Sequence, residues 1–269
     1  MSSPLIHAAE LVQGLGAVTV LDVRYRTGGP AGLGEYAAGH IPGAVYVDLD
    51  LALAAPPGPG GRHPLPEVGV FVAAMRRAGV RNDRPVVAYD DWSGQAAGRA
   101  WWLLRHHGHA DVRVLDGGWS AWVAEGGEVE PGVVEVPPGD FEAGPGAMPV
   151  VEASEVLQVP VLVDARAAER YRGEVEPIDP VAGRIPGAVN VPTSTNLRAD
   201  GRFRTAEELR ALYAAAGVTG DADVAAYCGS GVTAIHDILA LEIAGIRAAL
   251  YPGSWSGWIT DPERPVETG

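Results

Sequence analysis

Ile41-Pro42-Gly43-Ala44-Val45 returns 144 residues later as Ile185-Pro186-Gly187-Ala188-Val189. A second segment, Leu115-Asp116-Gly117-Gly118-Trp119-Ser120-Ala121-Trp122, returns after 136 residues as Tyr251-Pro252-Gly253-Ser254-Trp255-Ser256-Gly257-Trp258. Two segments recurring in the same order at nearly the same offset mean that the chain says one thing twice, so its fold must be one that two tandem copies can each complete. A length of 269 residues agrees, since it exceeds the common size of one domain. A Pro/Gly-rich stretch from about Glu130 to Pro149 separates the copies. The expected division is a first domain over 1–135, a linker over 136–149 and a second domain over 150–269.

Within each copy, apolar runs of strand length alternate with helical patterns. Leu21-Asp22-Val23-Arg24 ends one apolar run and is answered by Val163-Asp164-Ala165-Arg166. Val45 to Asp48, Val86 to Asp90 and Val112 to Leu115 read as strands, and Gln95 to His107 and Trp119 to Ala124 as helices. This alternation predicts an α/β fold, each copy a parallel sheet covered by helices.

Ala226-Tyr227-Cys228-Gly229-Ser230-Gly231-Val232-Thr233 carries the only cysteine. The apolar run Asp223 to Tyr227 precedes it and a long apolar-rich run, Val232 to Gly245, follows, which reads as strand, tight loop, helix. Glycines at 229 and 231 let the backbone curl and turn successive N–H groups inward at a helix start, a cavity suited to an anion. Amide dipoles there favour thiolate over thiol, and thiolate is the nucleophile. The alternative is that Cys228 is a small buried hydrophobe at a strand end. Aligning the copies at their third strands sets Asp90 in the place of Cys228, so one working site per chain is expected, in a cleft walled by both copies.

A single cysteine excludes an intrachain disulfide and any multi-cysteine zinc site, and fits a reducing compartment, the cytoplasm. The residues from Met1 to His7 lack the basic start and apolar core of a signal peptide, and no later run is long enough to span a membrane. A net charge of −14 argues against nucleic acid or anionic lipid as partner. There is no lysine, which removes Schiff-base chemistry and leaves anion binding to arginine. His106, His107 and His109 resemble a metal cluster by type, but they fall at an expected helix end, where imidazolium suits the dipole. The Trp101-Trp102 pair and the paired tryptophans near each domain end are expected to fill cores or the domain interface rather than bind ligand.

With Ile-Pro-Gly-Ala in each half, Gly-x-Trp-x-x-Trp near each end and the Cys228 to Thr233 loop, the whole chain resembles the tandem-domain rhodanese sulfurtransferases. The resemblance implies two rhodanese-like domains, the second active, and a persulfide on Cys228 that carries sulfane sulfur from a small anionic donor to cyanide or a thiol. It implies no metal or organic cofactor. Gly229-Ser230-Gly231 is similar to the mercaptopyruvate-preferring branch rather than the thiosulfate-preferring one. There the loop serine belongs to a Ser-His-Asp relay, which places Ser230 beside His63, in Gly61-Arg62-His63-Pro64, and Asp50. Gly229, Gly231, Val232 and Thr233 would cradle the sulfur, and Arg170 matches the family's substrate arginine. A second arginine usual in that branch is missing, because the chain reads Glu176-Pro177-Ile178-Asp179-Pro180; Arg172 and Arg184 are the candidates to replace it. A cysteine phosphatase would need an arginine at 234, which is alanine. The alternatives are a thiosulfate:cyanide sulfurtransferase proper and a non-catalytic persulfide carrier or docking module.

Overall fold

A computed structural model of the chain describes residues 3–26 and 31–269. Met1 and Ser2, part of the segment read above for a leader, lie outside the described residues. The chain forms two compact units, one of Met1–Ala55, Pro66–Met148 and Asp200–Arg202, the other of Pro56–Leu65, Pro149–Ala199 and Phe203–Gly269.

The first unit runs β1 (Leu5–Ile6), α1 (Ala8–Gly14), β2 (Thr19–Asp22), α2 (Gly32–Ala38), β3 (Val45–Tyr46), α3 (Val68–Arg77), β4 (Val86–Tyr89), α4 (Gln95–His106), β5 (Val112–Leu115) and α5 (Gly118–Ala124). Its sheet is parallel throughout, in the order β1-β5-β4-β2-β3. The second unit runs β6 (Val161–Asp164), α6 (Ala168–Tyr171), β7 (Val189–Asn190), α7 (Ala206–Ala215), β8 (Val224–Tyr227), α8 (Ala234–Ile243), β9 (Ala248–Leu250) and α9 (Ser254–Trp258). Its sheet is also parallel, in the order β7-β6-β8-β9. The strand expected over Val45 to Asp48 closes at Tyr46. The Val47 N–H still bonds Asp22 O at 2.8 Å, but the Asp48 carboxylate turns to accept the Leu51 N–H at 3.1 Å, which starts the next turn instead.

The central strands β4 and β8 are buried along their whole length, which is why they read as unbroken apolar runs and not as alternation. Side chains such as Leu103, Val87, Leu239 and Ile235 are wholly shielded from solvent, and each contributes roughly 1.5–3 kcal/mol by leaving water. Trp101 and Trp102 are fully buried in α4. His106 stacks on Trp102 and hydrogen-bonds Met148 O, His107 packs on Phe71, and His109 bonds Arg81 O. The three histidines are thus core and helix-end residues.

The repeated motifs have a common physical basis. Asp22 faces Tyr89 across β2 and β4, as Asp164 faces Tyr227 across β6 and β8. Two residues on, Arg24 binds Asp22 at 2.7 Å and Gly39 O at 2.6 Å, while Arg166 binds Asp164 at 2.6 Å and Gly183 O at 2.7 Å. Each buried guanidinium lies under a tryptophan, Trp119 at 4.7 Å and Trp255 at 4.8 Å. The tyrosine hydroxyls accept the N–H groups of Ile41 and Ile185, which fixes the Ile-Pro-Gly-Ala turns. A buried ion pair survives desolvation only when its remaining donors are satisfied, and carbonyl and aromatic partners do that in both copies.

Residues 56–65 group with the second unit although their neighbours in sequence belong to the first. The loop closes on itself through reciprocal Gly58 and Gly61 N–H···O bonds of 3.0 and 2.9 Å, and the Arg62 N–H is taken by Ser256 Oγ at 3.0 Å. Gly61 has φ +106°, and a Cβ there would meet Gly253 O at 2.7 Å, so only glycine lets the loop lie this close.

Candidate active site

β8 delivers Cys228 at its carboxyl end, and α8 begins with Thr233 as its N-cap residue. The crossing between them is set by Gly231, whose φ is +81° and where a Cβ would meet Pro252 O at 2.4 Å. With that turn made, the Gly231 N–H points at Cys228 Sγ, 3.1 Å away. Ser254, one of two non-glycine residues described with positive φ, accepts the Cys228 N–H and donates to Tyr251 O, both at 3.1 Å. Gly229 O and Cys228 O accept the N–H groups of Ser256 and Trp255, and Val232 O and Thr233 O those of Ile235 and His236. These four carbonyls are thereby engaged by backbone donors of the protein. Cys228 itself is 1% exposed, with Val232 buried and Thr233 partly exposed beside it.

The same place in the first unit holds Asp90, and its loop is filled by that side chain. Oδ1 accepts the N–H groups of Trp92 and Gly94 at 2.9 and 2.8 Å, and Oδ2 those of Ala96 and Ala97 at 2.7 and 2.8 Å. Burial pushes the Asp90 carboxyl up from its ordinary value, and the four N–H groups oppose this by favouring the ionised form. The pairing of Trp119 N–H with Asp90 O at 2.8 Å matches that of Trp255 N–H with Cys228 O at 2.9 Å, so the two loops share a frame.

Ser230 Oγ and His63 Nδ1 are 2.7 Å apart, with Ser230 two residues from the cysteine and both side chains buried. With Nδ1 unprotonated, it accepts the serine hydroxyl. The loop over 56–65 brings the histidine there. Asp50, the expected third member, belongs to the first unit, in the turn after β3. Burial raises its carboxyl above the ordinary value and the Asp48 charge adds to this, against a hydrogen bond from Tyr25.

Arg170, from α6, binds Glu176 at 2.7 Å and Asp179 at 3.2 Å. Its guanidinium lies 3.6 Å from where a Gly229 Cβ would be, beside the loop. A second guanidinium lies closer, at 3.1 Å, and it belongs to Arg62, which also pairs with Asp179. Neither arginine expected to replace the missing one is placed there. Arg172 pairs with Glu174 at 2.7 Å on the surface, and Arg184 stacks on Tyr171 and binds Glu267. Arg62 could have been suspected from sequence, because it precedes His63 and because a carboxylate at 179 needs a cation.

Burial works to raise the Glu176 carboxyl, but the Arg170 hydrogen bond, the N–H groups of Asp179 and Ile178 and the Arg170 charge outweigh it and hold the group below its ordinary value of 4.5. A depressed folded-state value means stability that is present above pH about 4.5 and is lost as pH falls through the lower folded value. The Glu176→Gln variant is therefore expected to melt below wild type at pH 7, with a shallower loss below pH about 4.5, and thermal denaturation across that range measures both.

Among the described residues, no group of histidine, cysteine and carboxylates is arranged to hold a metal ion, and no helix is long and apolar enough to cross a membrane.

Comparison with known proteins places these features in a family. The Rhodanese-like domain family matches residues 7–125 and 151–261. SseB of Mycobacterium tuberculosis H37Rv, named for thiosulfate sulfurtransferase activity, is 45% identical over 98% of this chain and 97% of its own. A Pseudomonas aeruginosa protein named for 3-mercaptopyruvate sulfurtransferase activity is 46% identical, covering 100% of this chain and 99% of its own. The crystal structure of the Escherichia coli 3-mercaptopyruvate enzyme SseA superimposes with a TM-score of 0.85 at 35% identity, over 95% of this chain and 100% of that one. With a matching domain in each half, a cysteine loop in the second and relatives aligned from end to end, the chain belongs to the rhodanese family of sulfurtransferases, in its two-domain form.

Proposed function

We propose that the chain moves sulfane sulfur from 3-mercaptopyruvate, ahead of thiosulfate, to cyanide or a thiol through a persulfide on Cys228, and that it does so in the cytoplasm. The observation that carries the donor preference is the 2.7 Å contact between Ser230 and His63 beside the cysteine.

The two donors differ in proton balance. With thiosulfate, the Cys228 thiolate attacks the outer sulfur, the S–S bond breaks with its electron pair on sulfite, and no proton moves. With 3-mercaptopyruvate, the thiolate attacks the donor sulfur, the C–S bond breaks, and its electron pair forms the enolate of pyruvate. The proton of the donor thiol must then travel from the new persulfide to the C3 carbon. Ser230 and His63 supply a path for that proton, work they do not have with thiosulfate. The product is a Cys228 persulfide anion and pyruvate, with atoms and charge balanced.

Arg170 holds the donor's anionic end, and the Gly231 N–H lies where charge collects on the sulfur. Glu176 and Asp179 beside the arginine lower the net positive charge at the loop, which disfavours a dianion such as thiosulfate more than a monoanion. Cyanide or a thiolate then attacks the outer persulfide sulfur and Cys228 leaves as thiolate.

Steady-state turnover with each donor and cyanide as acceptor tests this. The value of kcat/KM is expected to favour 3-mercaptopyruvate by about a hundredfold, the lower end of what a positioned proton donor supplies. A preference for thiosulfate would remove the role given to Ser230 and His63.

A further inference from the structure

We infer that Arg62 is a second donor-gripping cation, and that Asp179 is a placeholder carboxylate which the donor's own anionic group displaces. The inference rests on the sulfur-transfer reading above and extends it to residues that no motif of the sequence marked.

Two guanidinia, from segments more than a hundred residues apart in sequence, converge on one spot. Arg62 and Arg170 are the nearest groups a side chain at Gly229 would meet, at 3.1 and 3.6 Å. Gly229 adjoins the cysteine, so an anion approaching Cys228 Sγ past this point comes within reach of both cations. Both arginines are bound to one carboxylate, Asp179, whose side chain is 3% exposed while those of Arg62 and Arg170 are 26% and 16% exposed. A carboxylate shared by two arginines reproduces the contacts that a donor carboxylate or sulfonate would make.

The main-chain anchor of Arg62 is separate from this. Its N–H is held by Ser256 Oγ, so the segment carrying His63 stays docked when the Arg62 side chain is changed. Glu176 binds Arg170 independently of Asp179, at 2.7 Å, and keeps that guanidinium in place when Asp179 lets go. Exchange of Asp179 for the donor therefore leaves each guanidinium with an anionic partner, which lowers the cost of desolvating the site.

Two substitutions are expected to act in opposite directions. Arg62→Gln raises KM for both donors by about tenfold to a hundredfold, the worth of a hydrogen bond to a charged group, with a smaller change in kcat. Arg62→Lys recovers part of that, since it restores charge without the paired N–H geometry. Asp179→Asn lowers KM for both donors, because the competitor for the two cations is gone. If the Arg62–Asp179 pair serves only to hold the structure, both substitutions break the same ion pair and both raise KM or lower melting temperature alike, and that result overturns the inference.

The Asp179→Asn arm decides the matter even if Arg62→Gln proves too unstable to assay. A KM rise with Asp179→Asn is fatal. Wild type is the control for the underlying reading: failure to gain one sulfur atom on incubation with either donor, read by intact mass, would remove the sulfur-transfer proposal itself. Donor loading in wild type with an unchanged KM in Arg62→Gln would remove only the role of Arg62.

Discussion

The Cys228→Ser variant is expected to lose sulfur transfer from both donors, a fall on the order of 10⁴-fold or more, as removal of a nucleophile entails. A serine hydroxyl is not ionised at neutral pH, and an oxygen in place of the thiolate forms no persulfide that an acceptor could unload. The substitution should leave the fold in place. The Gly231 N–H that lies 3.1 Å from the sulfur can donate to a hydroxyl oxygen, and the Cys228 N–H and C=O keep their bonds to Ser254 and Trp255. Intact mass after incubation with donor gives the direct measurement, wild type gaining one sulfur atom and the variant none. Gain of sulfur by the variant, or turnover close to wild type, would mean that the nucleophile lies elsewhere.

The second large effect is selective. Ser230→Ala and His63→Ala are each expected to lower kcat with 3-mercaptopyruvate by about 10²–10⁴-fold, the range for a positioned proton carrier, while thiosulfate turnover changes by less than about threefold. Because serine and histidine act through one hydrogen bond of 2.7 Å, the double variant should be little worse than either single one. Equal losses with both donors would point to a shared structural role for the pair and against proton transfer. Measuring kcat and KM separately matters here, since a residue that only grips the donor would move KM.

How much of this was legible in the sequence follows from how far apart the contacting residues are. The buried strands, the helices after them and the paired Asp-x-Arg turns are local, and the same residues do the same work in both copies. Asp22 and Asp164 could be matched from text alone because each meets its arginine two positions later. The proline- and glycine-rich run at 56–61 gave no sign that it packs with the second unit. Its ties to Ser256 and Gly253 depend on long-range approach that no periodicity records.

The site divides in the same way. The glycines of the Cys228 loop announced a tight turn, and Gly231 requires one. Ser230 and His63 are 167 residues apart, and their pairing was available only through the family resemblance. Arg62 is harder to read from sequence than Arg172 and Arg184, because it lies far from Arg170 along the chain and meets it only through Asp179. Those two had nearer carboxylates of their own, Glu174 and Glu267.

The Asp90 loop has a consequence for how a duplicated gene product divides its labour. One copy fills its turn with its own side chain, so four peptide N–H groups are occupied from the moment the chain folds and are not offered to a passing solute. The other copy holds Cys228 at that place and aims the Gly231 N–H at its sulfur instead.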